Sequence, residues 1–316
     1  MKCSHSARTD VGRHREHNED DYGVGEGDQA AELGHVFVVC DGMGGHEAGE
    51  IASHMAVEHI ITAFYGLRDD ERAVALSLAF ESANAAIFNE GTRTSISMGT
   101  TGVAAALRND TCIIANVGDS RAYLIRDNDI RQISRDHSLV NEQIAAGMIT
   151  VADADKMYYR HVITRALGHQ PDVVVDLFSF PVQPNDRILL ATDGLINHVN
   201  DAELVSIIGQ SSGSDAVERL IDTANERGGS DNITALIVSV DAVDNAVTSA
   251  VPLARLAITA TEFAAEQTSG TYSTASMRLL LAPQLSWQGA GLSVALLAFL
   301  GSIILLGMLG WWPFHN

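Results

Sequence analysis

Four aspartates in this chain stand where an apolar run meets a turn. Val36–Cys40 ends on Asp41-Gly42, Ile113–Val117 leads through Gly118 to Asp119, Ile188–Thr192 ends on Asp193-Gly194, and Asp231-Asn232 opens the run Ile233–Val240. Short apolar runs bounded by turn residues are the pattern of strands buried on both faces. One Asp-Gly at a strand end is an ordinary turn. Four such ends ask for more, because rigid strand ends that share a rim bring their carboxylates together. Clustered carboxylates raise one another's pKa unless a cation balances them. An all-oxygen donor set suits hard ions, Mg2+ or Mn2+, rather than zinc, and none of the twelve histidines is paired as HxH or HxxxH. Ions of this kind held in pairs activate a water for in-line attack on phosphorus. Glycine after aspartate lets a backbone carbonyl approach such an ion closely.

Further apolar β-type runs are Thr101–Leu107, Cys112–Val117, Ala122–Ile125, Val173–Phe178 and Arg187–Ala191. Helical periodicity fits Ala48–Tyr65, Arg72–Asn89, Leu139–Ala146, Asp201–Ile208 and Asp215–Arg227. Several strands follow one another through short turns, so the sheet is expected to be largely antiparallel. Helices come in adjacent pairs, and sheets covered by helix pairs make a layered α+β domain. Gly25–Gly34, Gly66–Asp70 and Asp127–Asp129 read as plain connecting loops.

Charge narrows the partners. The chain has 316 residues, with 40 Asp+Glu against 20 Lys+Arg and a formal net charge of −20. So acidic a chain repels phosphate backbones, which excludes nucleic-acid binding through a general basic field. Cys3, Cys40 and Cys112 lie far apart, with no CxxC, so a disulfide scaffold is excluded and a reducing compartment is favoured. The N-terminal MKCSHSARTDVG has no apolar h-region, so no secretory signal is expected.

The last quarter differs. Val243–Ser286 turns to Ala, Thr and Ser and reads as a linker, with helical character over Ala254–Gln267. Gly289–Gly310 then runs 22 positions without an ionisable residue, flanked by Trp287 and by Trp311 and Trp312. At about 1.5 Å per residue it spans roughly 33 Å, enough for a bilayer core of about 30 Å. We expect a domain over 1–240, a linker over 241–286, a transmembrane helix over 287–312 and a short tail over 313–316. Arg255 and Arg278 before the span place the large domain on the cytoplasmic face of the inner membrane.

At this point the chain resembles a known family, the metal-dependent protein phosphatases (PPM, type 2C), in their compact bacterial form. The matching segments are Thr9–Asp20, Val39–Glu50, Met98–Thr101, Asn116–Tyr123, Arg135–Leu139, Thr164–Gly168, Leu190–Leu195 and Gly228–Asn232, in the family's order. The resemblance implies a four-layer αββα sandwich, a central antiparallel β-sandwich flanked by helix pairs. It implies two Mn2+ or Mg2+ ions and a third, weaker site. By it, Asp41 is the bridging ligand, Gly42 supplies a carbonyl, and Asp193 and Asp231 complete the first ion's ligands. Glu19 and Asp20 hold metal-bound waters, and Asp119 marks the third site. Arg15, chosen over Arg13 by its spacing to Asn18-Glu19-Asp20, holds the substrate phosphate with a planar fork suited to it.

The implied reaction is hydrolysis of phosphoserine and phosphothreonine in proteins, with a metal-bound water as nucleophile, opposing a Ser/Thr kinase. Eukaryotic members carry a histidine after Asp-Gly as leaving-group acid. This chain has Met43 there, His46 reads as a helix-entry residue, and a metal-bound water is the alternative acid. Residues 136–165 match the family's flap, in which Tyr158, Tyr159 and Arg160 either contact the phosphoprotein or pack the flap on its own domain. The competing functions are a catalytically silent membrane scaffold of the same fold and a small-phosphoester hydrolase.

Overall fold

The computed structural model describes residues 1–25, 27–45, 47–67, 71–154, 156–244, 253 and 259–261. They fall within one compact unit, Met1–Phe263. His46, the anticipated span and most of the anticipated linker lie outside these residues.

Two antiparallel sheets stack face to face. The first has the order β1 (Lys2–Asp10), β11 (Ile233–Ala242), β10 (Arg187–Ala191), β7 (Arg121–Arg126) and β8 (Asp129–Gln132). The second runs β12 (Thr259–Thr261), β9 (Asp176–Pro181), β6 (Thr111–Val117), β5 (Gly102–Arg108), β3 (His35–Met43) and β2 (Asp20–Val24), with the two-residue β4 (Gly99–Thr100) beside β3.

Period-two alternation sorts the apolar side chains of each central strand between two cores. Phe37, Val39, Val103, Ala105 and Ile114 face Ala122, Leu124, Ile188, Leu190, Leu236 and Val238 between the sheets. The alternate residues Val36, Val38, Cys40, Ala104 and Ala115 meet α2 (Glu47–Gly66) and α3 (Arg72–Thr94) through Ala52, Ala56, Ile60, Leu76 and Phe80. On the far side Tyr123, Leu189, Ala235 and Ile237 meet α7 (Asp201–Gln210) and α8 (Gly213–Glu226) through Leu204, Ile208, Val217 and Leu220. The result is the expected α+β sandwich of four layers.

Some local expectations change. Gly25–Gly34 is not a plain loop, since Asp28–Leu33 forms the short helix α1, which buries Ala30 against the core. The strand anticipated from Val173 begins only at Asp176, where pairing with Asn116 starts, and the Val174 carbonyl is instead taken by Arg165. Within Ala254–Gln267 the described Thr259–Thr261 is a strand rather than helix, because its backbone pairs antiparallel with the edge of β9. Among the described residues no helix is long and apolar enough to cross a membrane.

Candidate active site

The sandwich brings the four strand-end aspartates to one rim. Asp41 lies near the end of β3, directly opposite Asp20 at the start of β2. Its backbone N–H donates to Thr101 Oγ1 at 3.0 Å, and its carbonyl accepts from the Thr100 hydroxyl at 2.9 Å. Thr101 Oγ1 in turn lies 2.7 Å from Ser120 Oγ, which ties Asp41 to the β6–β7 turn that carries Asp119. Asp193 follows β10 and opens the one-turn helix α6 (Asp193–Ile196), and Asp231 precedes β11. These two are neighbours because β10 and β11 pair and Thr192 N–H continues the ladder to the Thr234 carbonyl at 3.2 Å.

Glycine is obligatory at two of these corners. A Cβ on Gly42 would sit 2.1 Å from the Gly49 carbonyl oxygen, and one on Gly194 only 1.9 Å from that of Asn232. Both Asp-Gly pairs therefore mark backbone crowded against backbone, beyond the needs of a turn.

Asp20 is buried, and its Oδ2 accepts the hydroxyls of Thr192 at 2.9 Å and Thr234 at 2.7 Å. Its Oδ1 is buried with no hydrogen-bond partner. Burial, then the charges of Asp193 and Asp231, push the Asp20 carboxyl up to about 7 against the two threonine donors. Burial, followed by Asp20, Asp193, Asp119 and Asp231, raises Asp41 well above the ordinary carboxylate range. Burial, with Asp193 and Asp136, takes Asp119 to about 7. Asp193 is raised by burial and by Asp231, with His161, Asn197 and Arg15 opposing.

Among the described residues no three carboxylate, imidazole or thiol groups meet at ligand distance in this arrangement. The fit to a cation rests on donor chemistry. Several carboxylates are packed closely enough to raise one another's proton affinity, and one buried carboxylate oxygen is orphaned. These residues suit hard divalent ions.

The family described as Protein phosphatase 2C matches residues 3–143. The serine/threonine phosphatase stp of Listeria welshimeri is 40% identical over 238 residues, which are 73% of this chain and 93% of that protein. The chain belongs to the protein phosphatase 2C family. A solved serine/threonine phosphatase of Streptococcus agalactiae superimposes on this type 2C domain with a TM-score of 0.71 at 32% identity, covering 76% of this chain and 100% of that one. The catalytic domain of PstP, solved in complex with two manganese ions, gives 0.65 at 30% identity and covers 76% and 98%.

Around the carboxylates of this type 2C domain the structure separates residues that sequence left together. Arg15 Nη2 lies 2.8 Å from Asp231 Oδ2, whereas Arg13 is fastened by its backbone to the Gly229 carbonyl at 2.7 Å. The Glu19 carbonyl accepts from Gly42 N–H at 3.0 Å, and the Glu19 side chain packs against Gly49. In the flap, Tyr159 donates to Gln143 Oε1 at 3.0 Å and so packs the segment on itself, while Tyr158 is 93% exposed. Arg160 is exposed. Its neighbour His161, which the sequence did not single out, places Nδ1 3.9 Å from Asp193 Oδ2.

Sequence reasoning also missed Thr192, Thr234, Thr101 and Asn232. The signal for two of them, Thr192 and Asn232, was a hydroxyl or amide directly beside a strand-end aspartate.

Proposed function

We propose that the rim of carboxylates is the catalytic centre of a protein serine/threonine phosphatase that hydrolyses phosphoserine and phosphothreonine monoesters in proteins. The observation that carries this reading is the buried Asp20 carboxylate, with one orphaned oxygen, set against Asp41, Asp193 and Asp231 and faced by Arg15.

Two Mn2+ or Mg2+ ions are the cofactors. Asp41, the Gly42 carbonyl, Asp193 and Asp231 would hold them directly, Glu19 and Asp20 would hold them through water, and Asp119 would serve a third, weaker site. Bound there, such ions neutralise the carboxylates and supply an activated water. Arg15 presents a fork of N–H donors to the phosphoryl oxygens from the solvent side, and this contact strengthens as negative charge builds on them. Thr192 and Thr234 keep one Asp20 oxygen engaged and so orient the other. Arg160, on the exposed flap, would contact the protein around the phosphorylated residue.

The Gly289–Gly310 segment, outside the described residues, would anchor the chain in the inner membrane with its catalytic domain in the cytoplasm. There it would oppose a Ser/Thr kinase on membrane-proximal substrates.

The deciding experiment is Mn2+-dependent turnover of a phosphothreonine peptide by wild type and Asp193→Asn. Activity that this substitution abolishes is expected. Wild-type protein with no such activity would leave the silent scaffold as the reading, and turnover confined to small phosphoesters would make it a small-molecule hydrolase. Deletion of residues 289–316 is expected to release the protein from the membrane fraction, and retention there would overturn the anchor.

A further inference from the structure

One buried amide sets the course of the loop that carries Arg15. Asn232 is 4% exposed. Its Nδ2 donates to the carbonyls of Val11 and His17, both at 2.9 Å, and its Oδ1 accepts the Glu19 N–H at 2.8 Å. Both amide donors are thus used, and all three bonds go to main chain of the same loop. Arg13 N–H adds a bond to the Gly229 carbonyl at 2.7 Å, fastening the first limb of the loop to the turn before Asp231. Between these pinned limbs His14, Arg15 and Glu16 are exposed, and Arg15 at the apex reaches Asp231 at 2.8 Å.

An amide is the side chain that offers two donors and an acceptor from one small plane. Alanine there would leave two carbonyls and an N–H without their partner, and aspartate would set a carboxylate against two carbonyl oxygens.

We propose that Asn232 is a positioning residue for phosphate recognition. It holds the 11–19 loop at the height over the Asp231 strand end at which the Arg15 guanidinium meets the substrate's phosphoryl oxygens. The two functions share a short stretch of chain, since Asn232 follows Asp231 directly and its side chain bonds the loop that supplies Arg15. This inference rests on the phosphatase reading above.

The test is a double-mutant cycle on the full chain with N232A, R15A and the double variant, at saturating Mn2+. KM for a phosphothreonine peptide and the inhibition constant for inorganic phosphate are measured, with hydrogen exchange over residues 11–19. N232A is expected to raise both constants about tenfold or more, with a smaller change in kcat, and to speed exchange in the loop. In the R15A background the same substitution is expected to change them by less than about threefold, because positioning has nothing left to position.

Equal effects in both backgrounds would overturn the inference and assign Asn232 to the strand-end carboxylates. If N232A melts below the assay temperature, N232D carries the same cycle while keeping the acceptor for Glu19. Should the wild type lack phosphopeptide activity, the phosphatase reading fails. Calorimetric binding of inorganic phosphate to the four Mn2+-saturated proteins then decides the inference by the same cycle.

Discussion

Asp20 and Asp41 stand directly across from one another on the paired strands β2 and β3, two like charges where antiparallel neighbours ordinarily avoid them. Burial, with the charges of Asp193 and Asp231, pushes Asp20 to about 7 from an ordinary value of 3.8, while the unfolded chain titrates at that ordinary value. Between about pH 4 and 7 the folded, metal-free protein therefore retains a proton that the unfolded chain has given up, and stability falls as pH rises through this window. Asp20→Asn removes the effect. In chelator the variant is expected to be more stable than wild type, by a margin that grows from pH 4 to 7 to a few kcal/mol and then levels off. With Mn2+ at pH 7.5 the order reverses, because a site residue has been lost. Urea titrations of both proteins across this range check it, and a margin independent of pH would refute the coupling.

The hydroxyls of Thr192 and Thr234 are the direct donors that favour the charged form of Asp20. Valine at either position keeps the shape and removes the donor, which raises the Asp20 carboxyl further. T234V is expected to weaken Mn2+ affinity about tenfold near pH 6.5 and less at pH 8, where the carboxyl ionises regardless. T234S restores the hydroxyl and is expected to restore wild-type affinity. Mn2+ titrations followed by thermal shift at the two pH values read both effects.

The central strands were legible and the edges were not. β3, β5, β6, β7, β10 and β11 each bury both faces, so their sequences are apolar runs that stand out from any neighbour. β1, β2, β8 and β12 lie at the sheet margins, and Lys2–Asp10 with three charged residues and two serines in nine has no apolar run to find. The same logic divides the site. Asp41, Asp193 and Asp231 were visible because each stands at the end of a buried apolar run, and Arg15 because a motif carries it. Thr234 was not, since its hydrogen bond to Asp20 spans more than two hundred residues of chain, and the motif that carries Asn232 does not show its equally distant bonds to Val11 and His17. His161 was hidden for the same reason, in a flap that meets Asp193 only in three dimensions.

Gly42 and Gly49 crowd each other from β3 and α2, and they are expected to respond differently to alanine. A Cβ at Gly42 meets the Gly49 carbonyl at 2.1 Å and the Glu19 carbonyl at 2.6 Å, both backbone atoms. At Gly49 its nearest neighbour is the end of the Glu19 side chain, a side-chain atom rather than a main-chain carbonyl. G42A is expected to lose about 2 kcal/mol of stability together with nearly all activity. G49A should keep most of its stability and lose activity in proportion to the displacement of Glu19. Chemical denaturation alongside turnover at saturating Mn2+ separates the two, and equal destabilisation would mean that α2 shifts as a body.

The other end of β7 offers a site where stability and chemistry come apart. Arg126 and Asp186 are 2% and 1% exposed in their side chains and form two bonds, Nε to Oδ1 at 2.7 Å and Nη2 to Oδ2 at 2.6 Å. Arg126 Nη2 also donates to the Pro181 carbonyl at 3.1 Å, and Asp186 Oδ2 accepts the Gln183 N–H at 2.9 Å. Asp119 precedes the first residue of β7 and Arg126 is its last, so the length of the strand separates this pair from the rim. D186A strands a buried guanidinium and is expected to destabilise by about 3–5 kcal/mol. The double variant R126M/D186L removes both charges and should recover most of that loss, because the desolvation of the pair disappears with the pair. For every variant kcat/KM per folded molecule should equal that of wild type. A fall in kcat/KM without a fall in folded fraction would mean that the far end of β7 communicates with the Asp119 turn through the strand.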